Sequence, residues 1–126
     1  MIPDLYLAPE RDKPEVDFKF SRHHLSLKGE TYPENAAQFY GPILAALRVY
    51  LNDTRGAHIT VDMDLIYFNS SSTKILLSLF EMLDQAAQDN QVQLNWHYDP
   101  EDETVQEFGA DLAEDYTTLV YNPVAK

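Results

Sequence analysis

The sequence contains no cysteine. Disulfides, thiolate metal sites and thiol catalysis are therefore excluded, because each of them needs a cysteine sulfur. Lack of disulfides suits a reducing compartment, and we expect a cytoplasmic protein. Glycine is also scarce, with four residues that are not grouped, so the chain has no glycine-rich phosphate-binding loop.

Long apolar runs are missing as well. No stretch approaches the roughly 20 apolar residues that cross a bilayer, and the first residues lack a basic region followed by an apolar one. Basic residues are few, with 9 Lys and Arg against 21 Asp and Glu, which gives a net charge of -12. Such a charge repels phosphate backbones and anionic lipid surfaces. We therefore expect neither nucleic acid nor a membrane as a partner.

The 126 residues are enough for one domain with its own core, and 44% of them are hydrophobic. Pro3, Pro9 and Pro14 interrupt the polar beginning of the chain. Proline disfavours regular helix there, so we predict an extended N-terminal arm over residues 1–15 and a single domain over residues 16–126.

Hydrophobic periodicity predicts strands that alternate with helices over residues 16–126. VDFKFS and HHLSLKG alternate apolar and polar residues and are close enough to form an antiparallel pair, and HITVDMDLIYF, VQLNWHY and TLVYN favour further strands. Helical spacing follows TYPEN, and it recurs over about residues 71–90 and in the acidic stretch at about 102–116. This order predicts an α/β fold with a mixed sheet of about four to five strands covered by helices.

The start of the first helix contains conflicting signals. Thr31 and Glu34 fit a capping box, although Pro33 disfavours helical geometry in the residue before it. Gly41 and Pro42 then interrupt the helical pattern, which predicts a kink or two short helices.

A cluster of hydroxyls in YFNSSSTK, residues 67–74, lies between a predicted strand and a predicted helix. Asn69, Ser70 or Ser71 would each cap the helix, and capping alone accounts for one such residue. The chain supplies four such residues in succession, Asn69, Ser70, Ser71 and Ser72. A phosphate here would meet unpaired N–H groups and the positive end of the helix dipole, and its charge would change what the surface binds. Capping and phosphorylation both remain open from the residues alone.

Asp62 and Asp64 raise a different possibility, because two aspartates on one strand face are typical of some magnesium-dependent phosphatases. The chain is short and has no second acidic pair at a strand end, so a solvated strand face is the better interpretation. The four histidines lack metal-ligand spacing, and no G-x-S-x-G motif is present. We expect no catalytic residue, no metal and no cofactor.

Three segments together resemble the SiaC family of bacterial regulatory phosphoproteins. They are LSLKGETYPEN at 25–35, LIYFNSSSTKILLSLFEML at 65–83 and WHYDPEDETVQEFGADLAED at 96–115. The resemblance implies a STAS-like domain, as in anti-sigma-factor antagonists, that has no catalysis of its own. It also implies a partner kinase that phosphorylates a Ser or Thr at a helix start, and a PP2C-type phosphatase that removes the phosphate.

The family pattern implies a partner switch. The unphosphorylated form would bind and activate an effector such as a diguanylate cyclase, with consequences for cyclic di-GMP and biofilm formation, and phosphorylation would release it. The phosphoacceptor follows the Asn of an N-[ST]-S-S motif, which corresponds to Ser70. Asn69, Ser71 and Ser72 would form the phosphosite loop, with Ser71 and Ser72 as other possible acceptors. For the partner surface we predict Tyr32, Pro33, Glu34, Asn35 and Tyr67. The alternative is a constitutive interaction module whose serines only cap the helix.

Overall fold

The computed structural model describes residues 2–126 and contains one six-stranded sheet with three α-helices. The strands are β1 (Leu5–Leu7), β2 (Glu15–Lys19), β3 (His24–Thr31), β4 (His58–Phe68), β5 (Gln91–Tyr98) and β6 (Val120–Ala125). The helices are α1 (Ala36–Asp53), α2 (Ser70–Ala86) and α3 (Glu103–Asp115). None of the helices in residues 2–126 is long and apolar enough to span a membrane.

The strands lie in the sheet in the same order as in the chain. β1, β2 and β3 pair antiparallel, whereas β3, β4, β5 and β6 are parallel and are joined in turn by α1, α2 and α3. Because such crossovers are right-handed almost without exception, all three helices cover the same face of the sheet. Alternate strand residues are buried beneath them, while the intervening residues form a polar face without helices.

The predicted mixed α/β fold is confirmed, but the sheet has six strands rather than four to five. The segment predicted as an N-terminal arm contributes the additional edge strand, because Leu5–Leu7 pairs with β2 and places Leu5 opposite Phe18. Three residues are too few for a recognisable alternation in the sequence. Met1, part of the same predicted segment, lies outside the described residues.

The predicted capping box of α1 is wrong. Thr31 belongs to β3, and the N-cap is Asn35, whose side-chain oxygen accepts a hydrogen bond from the Gln38 amide at 3.0 Å. Pro42 does not divide α1 into two helices. Its side is exposed, so the position that lacks an N–H faces solvent rather than the sheet.

An aromatic cluster fixes the end of β4. Trp96 is buried in β5 and donates its indole N–H to the Val105 carbonyl of α3 at 2.9 Å. A Cβ at Gly109 would lie 2.5 Å from Trp96 Nε1, so α3 approaches the sheet this closely because position 109 has no side chain. The rings of Phe108 and Phe68 pack with centroids 4.7 Å apart, which anchors the last residue of β4. The chain therefore enters α2 from a well-packed position.

Candidate functional site

The two segments singled out in the sequence lie side by side at the carboxyl ends of β3 and β4. Thr31 and Phe68 are register partners in this parallel pair, and the Asn69 amide donates to the Thr31 carbonyl at 3.2 Å. Residues 32–35 and the start of α2 therefore leave the same edge of the sheet. Parallel pairing places them together although they are more than thirty residues apart in the chain.

A β-bulge interrupts the regular pairing of β3 and β4 just before this edge. Gly29 pairs with Leu65 and Glu30 pairs with Tyr67, which leaves Ile66 without a partner in β3. Gly29 has a φ of +119°, a conformation that favours glycine. Ile66 and Tyr67 are 60% and 51% exposed, respectively. Two large apolar side chains therefore lie on the surface shortly before Asn69.

Asn69 is the N-cap of α2. Its side-chain oxygen accepts a hydrogen bond from the Ser72 amide at 2.9 Å, and its carbonyl accepts one from the Thr73 amide. Ser70 and Ser71 occupy the first two helical positions, and both are exposed. Their amides belong to the first turn, where a helix offers N–H groups without intrahelical acceptors. Capping is therefore accomplished by Asn69, and within residues 2–126 the hydroxyls of Ser70 and Ser71 have no hydrogen-bond partner.

Ser72 differs from its two neighbours because it points into the protein. It is 0% exposed, and its hydroxyl lies 2.9 Å from the Thr31 hydroxyl, which in turn lies 2.6 Å from the Tyr40 hydroxyl. Burial raises the pKa of Tyr40 to about 12, so its phenol remains protonated at neutral pH. A kinase has no access to Ser72 in this conformation, although the sequence left it as a possible acceptor. Sequence reasoning did not find Thr31 and Tyr40 as members of this cluster.

The predicted partner surface is assembled only in part. The rings of Tyr32 and Tyr67 pack edge to face with centroids 5.8 Å apart, and Glu34 beside them is exposed. Asn35 is also exposed but serves as the cap of α1. Pro33 is buried and contributes little accessible surface. The accessible part is therefore an aromatic pair with an acidic neighbour.

Charge near Ser70 favours an added phosphate. The N-terminus of α2 presents the positive end of the helix dipole. Lys74 lies four residues after Ser70, is exposed, and has no ion pair within residues 2–126. An i, i+4 spacing places the two side chains on the same side of the helix. The start of α2 therefore has one available cation in a strongly acidic chain.

The second candidate, Asp62 with Asp64, lies on the helix-free face in the middle of β4. Asp62 accepts hydrogen bonds from His24 Nε2 at 2.7 Å, His97 Nε2 at 2.9 Å and Asn95 Nδ2 at 3.0 Å. Partial burial disfavours ionisation, but these donors outweigh it and lower the pKa of the Asp62 carboxyl below its usual value. Asp64 is paired with Lys126.

Both carboxylates are thus engaged by protein groups. Across residues 2–126, no cluster of three or more His, Cys, Asp or Glu side chains is arranged to hold a metal ion. The sequence indicated four scattered histidines, and the sheet brings two of them to one aspartate because neighbouring strands align His24, Asp62 and His97. Their hydrogen bonding is that of a structural network and provides no free nucleophile.

A model of the SiaC family regulatory phosphoproteins matches residues 7–126. The chain belongs to the SiaC family. It is a regulatory protein rather than an enzyme, as expected from the motifs. An uncharacterised protein of Pseudomonas aeruginosa strain UCBPP-PA14 is 30% identical over 115 residues, which cover 90% of each chain.

Solved structures of SiaC from Pseudomonas aeruginosa have the same fold. The crystal structure of apo-SiaC is 26% identical, with a TM-score of 0.89 over 98% of this chain and 100% of that one. A second crystal structure contains the diguanylate cyclase SiaD in complex with its activator SiaC; its matching chain is 28% identical, with the same TM-score and coverage. The SiaC of that complex is thus an activator that binds a cyclase.

Proposed function

We propose that this SiaC-family chain is a partner switch in which Ser70 is the phosphoacceptor. The observation that supports this most directly is that the polar residues at the start of α2 differ in exposure and in hydrogen bonding. Asn69 caps the helix, Ser72 is buried, and the exposed Ser70 hydroxyl has no hydrogen-bond partner within residues 2–126. Free first-turn N–H groups and Lys74 would stabilise a phosphate there.

The effector in this proposal is a diguanylate cyclase, which the unphosphorylated form binds and activates. Support comes from the family and from the SiaC that forms a complex with SiaD. The effector surface consists of Tyr32, Glu34, Ile66 and Tyr67 with the exposed side of the first turn of α2. Tyrosine and other large apolar side chains are typical anchors of protein interfaces.

A partner kinase adds the phosphate in this scheme, and a PP2C-type phosphatase removes it. A phosphate adds about two negative charges next to the aromatic pair, which would repel an acidic partner surface and would be costly to desolvate against an apolar one. The proposal places the protein in the cytoplasm, where the nucleoside triphosphates that a kinase and a cyclase consume are available.

The test uses the diguanylate cyclase of the same host that pulls down with the unmodified chain. Its cyclic di-GMP production is measured with unmodified protein and with protein that contains phosphoserine at position 70. We expect activation by the unmodified form and by Ser70→Ala, and its loss with phosphoserine. Equal activation by all three forms would favour a constitutive interaction module instead.

A further inference from the structure

The start of α2 is connected to the rest of the sheet edge through Thr31. Thr31 is 0% exposed and bonds twice to the phosphosite segment: its carbonyl accepts from the Asn69 amide, and its hydroxyl is 2.9 Å from that of Ser72. The same hydroxyl reaches Tyr40 of α1 at 2.6 Å. One side chain therefore joins β3, α1 and the first turn of α2.

We infer that the Thr31 hydroxyl is a positioning group that couples the state of Ser70 to residues 32–35. The inference rests on the proposed function, in which Ser70 is the modified residue. It adds that a phosphate alters the surface formed by Tyr32 and Glu34 through the protein interior, as well as through its own charge.

The first step of the coupling is competition for an amide. The Ser72 N–H is bound by the side chain of Asn69. A phosphate on Ser70 places strong acceptor oxygens within the same turn, where they attract the N–H groups of Ser71 and Ser72. Any adjustment of Ser72 acts directly on its buried hydroxyl. That hydroxyl cannot turn to water, because the residue is fully buried.

The second step transfers the adjustment to the neighbouring strand. A buried hydroxyl that loses its hydrogen-bond partner is unfavourable. The Thr31 hydroxyl therefore moves with that of Ser72, or its hydrogen bond with the Tyr40 hydroxyl changes. Tyr32 comes directly after Thr31, and its ring contacts Tyr67. Closely packed interiors respond to small shifts by changing between discrete arrangements rather than by gradual deformation.

The backbone amide of Tyr32 can report a displacement of residues 32–35 by NMR. The Tyr32 amide donates to the Asp12 carbonyl at 2.9 Å. Its NMR resonance is sensitive to a displacement of the end of β3, because amide shifts depend on hydrogen-bond length. The Glu34 amide lies further along the same segment and reports whether the change spreads toward α1.

The experiment compares amide shifts of the full-length chain with and without phosphoserine at position 70, in three backgrounds. In the wild type, the phosphate should shift the Tyr32 and Glu34 resonances. Ser72→Ala removes the hydroxyl link from α2 to Thr31, leaves the bond from the Asn69 amide to the Thr31 carbonyl in place, and should reduce both shifts by about half or more. Thr31→Ser keeps the hydroxyl and should give the wild-type response. A full response in Ser72→Ala, or none in the wild type, would overturn the inference.

Tyr40→Phe provides an independent variant should Ser72→Ala not fold. It removes the bond to α1 but keeps the one between Thr31 and Ser72. The phosphate should still shift Tyr32, and its effect on the amides of Gln38 and Phe39 should decrease. Loss of the response at Tyr32, or an unchanged response in α1, would contradict the assigned role of Thr31.

The results also separate this inference from the proposed function. A normal NMR response without any effect of phosphate on cyclase activation would remove the proposed function and leave the coupling. Loss of activation on phosphorylation without a response at Tyr32 would leave the switch and remove the coupling.

Discussion

The starts of α1 and α2 lie at the same edge of the sheet and are capped in the same way. Asn35 and Asn69 each accept a hydrogen bond from the amide three residues later, at 3.0 and 2.9 Å. After the cap, α1 continues with two alanines, whereas α2 continues with three serines. The two starts therefore form a natural comparison within one chain.

The difference teaches what the serines of α2 do not do. α1 begins with an asparagine cap alone, so this fold needs no further hydroxyl to start a helix at this edge. Of the three serines in α2, Ser72 bonds with Thr31, while Ser70 and Ser71 remain exposed. We attribute the exposed pair to regulation, and the buried serine to the connection between α2 and β3.

The largest expected effect comes from charge added at one helix start but not the other. Ser70→Asp should weaken cyclase binding by at least about tenfold, because like charges or desolvated charges at an interface cost several kcal/mol. Ala37→Asp adds the same charge to the exposed first turn of α1 and is the matched control, with little expected effect. Dissociation constants from calorimetry would measure both. Equal weakening would mean that binding responds to charge at either helix start along this edge, rather than to the start of α2 in particular.

The two caps should contribute alike to stability. Asn35→Ala and Asn69→Ala should each lower the free energy of unfolding by about 1 kcal/mol, because each leaves one first-turn N–H without its acceptor. Urea denaturation would measure this. A much larger loss for Asn69→Ala would show that the polar residues at the start of α2 stabilise the fold more than the cap of α1 does. The serines of α2 would then have a structural explanation, and their regulatory interpretation would be weaker.

Asp62 lies away from both helix starts, and its contribution to stability should depend on pH. Its pKa is lower in the folded protein, so its stabilising contribution is complete above the unfolded pKa of about 3.9 and disappears as the pH falls through the folded value. Asp62→Asn should therefore reduce the loss of stability in acid, by on the order of 1 kcal/mol or less. Denaturation at pH 7 and pH 3 would show this. Altered cyclase binding in this variant would extend the functional surface to the helix-free face.

The smallest expected effect is on the free energy of unfolding, when a single serine hydroxyl is deleted. Ser70→Ala should change the free energy of unfolding by less than about 0.5 kcal/mol, because the side chain is exposed and alanine favours helix. Ser72→Ala, the same deletion at a buried position, should cost about 1 kcal/mol. A cost for Ser70→Ala that equals that of Ser72→Ala would assign Ser70 a structural role.

Periodicity predicted most of the fold because β4, β5, α2 and α3 each have a clear apolar pattern. The antiparallel pair of β2 and β3 is likewise confirmed. β1 was missed because its three residues lie between prolines. The cap of α1 was placed at Thr31 because a local motif fitted, whereas tertiary contacts with Tyr40 and Ser72 hold that hydroxyl in the interior.

The candidate site was predictable only where its residues are adjacent in the chain. The serine cluster and its position at a helix start followed from eight consecutive residues. The burial of Ser72 depends on β3, 41 positions away, and no sequence pattern reveals it. Similarly, the bond network of Asp62 depends on strand order, which aligns His24 and His97 with it.

The most direct measurement is the mass of the intact chain, followed by peptide mapping, after purification from its native host under phosphatase inhibition. We expect one phosphate, located on Ser70, in the peptide that contains residues 69–74. An unmodified peptide, in growth conditions under which a known phosphoprotein of the same host is phosphorylated, would contradict the switch. A phosphate on Ser72 would contradict the structural assignment of the three serines.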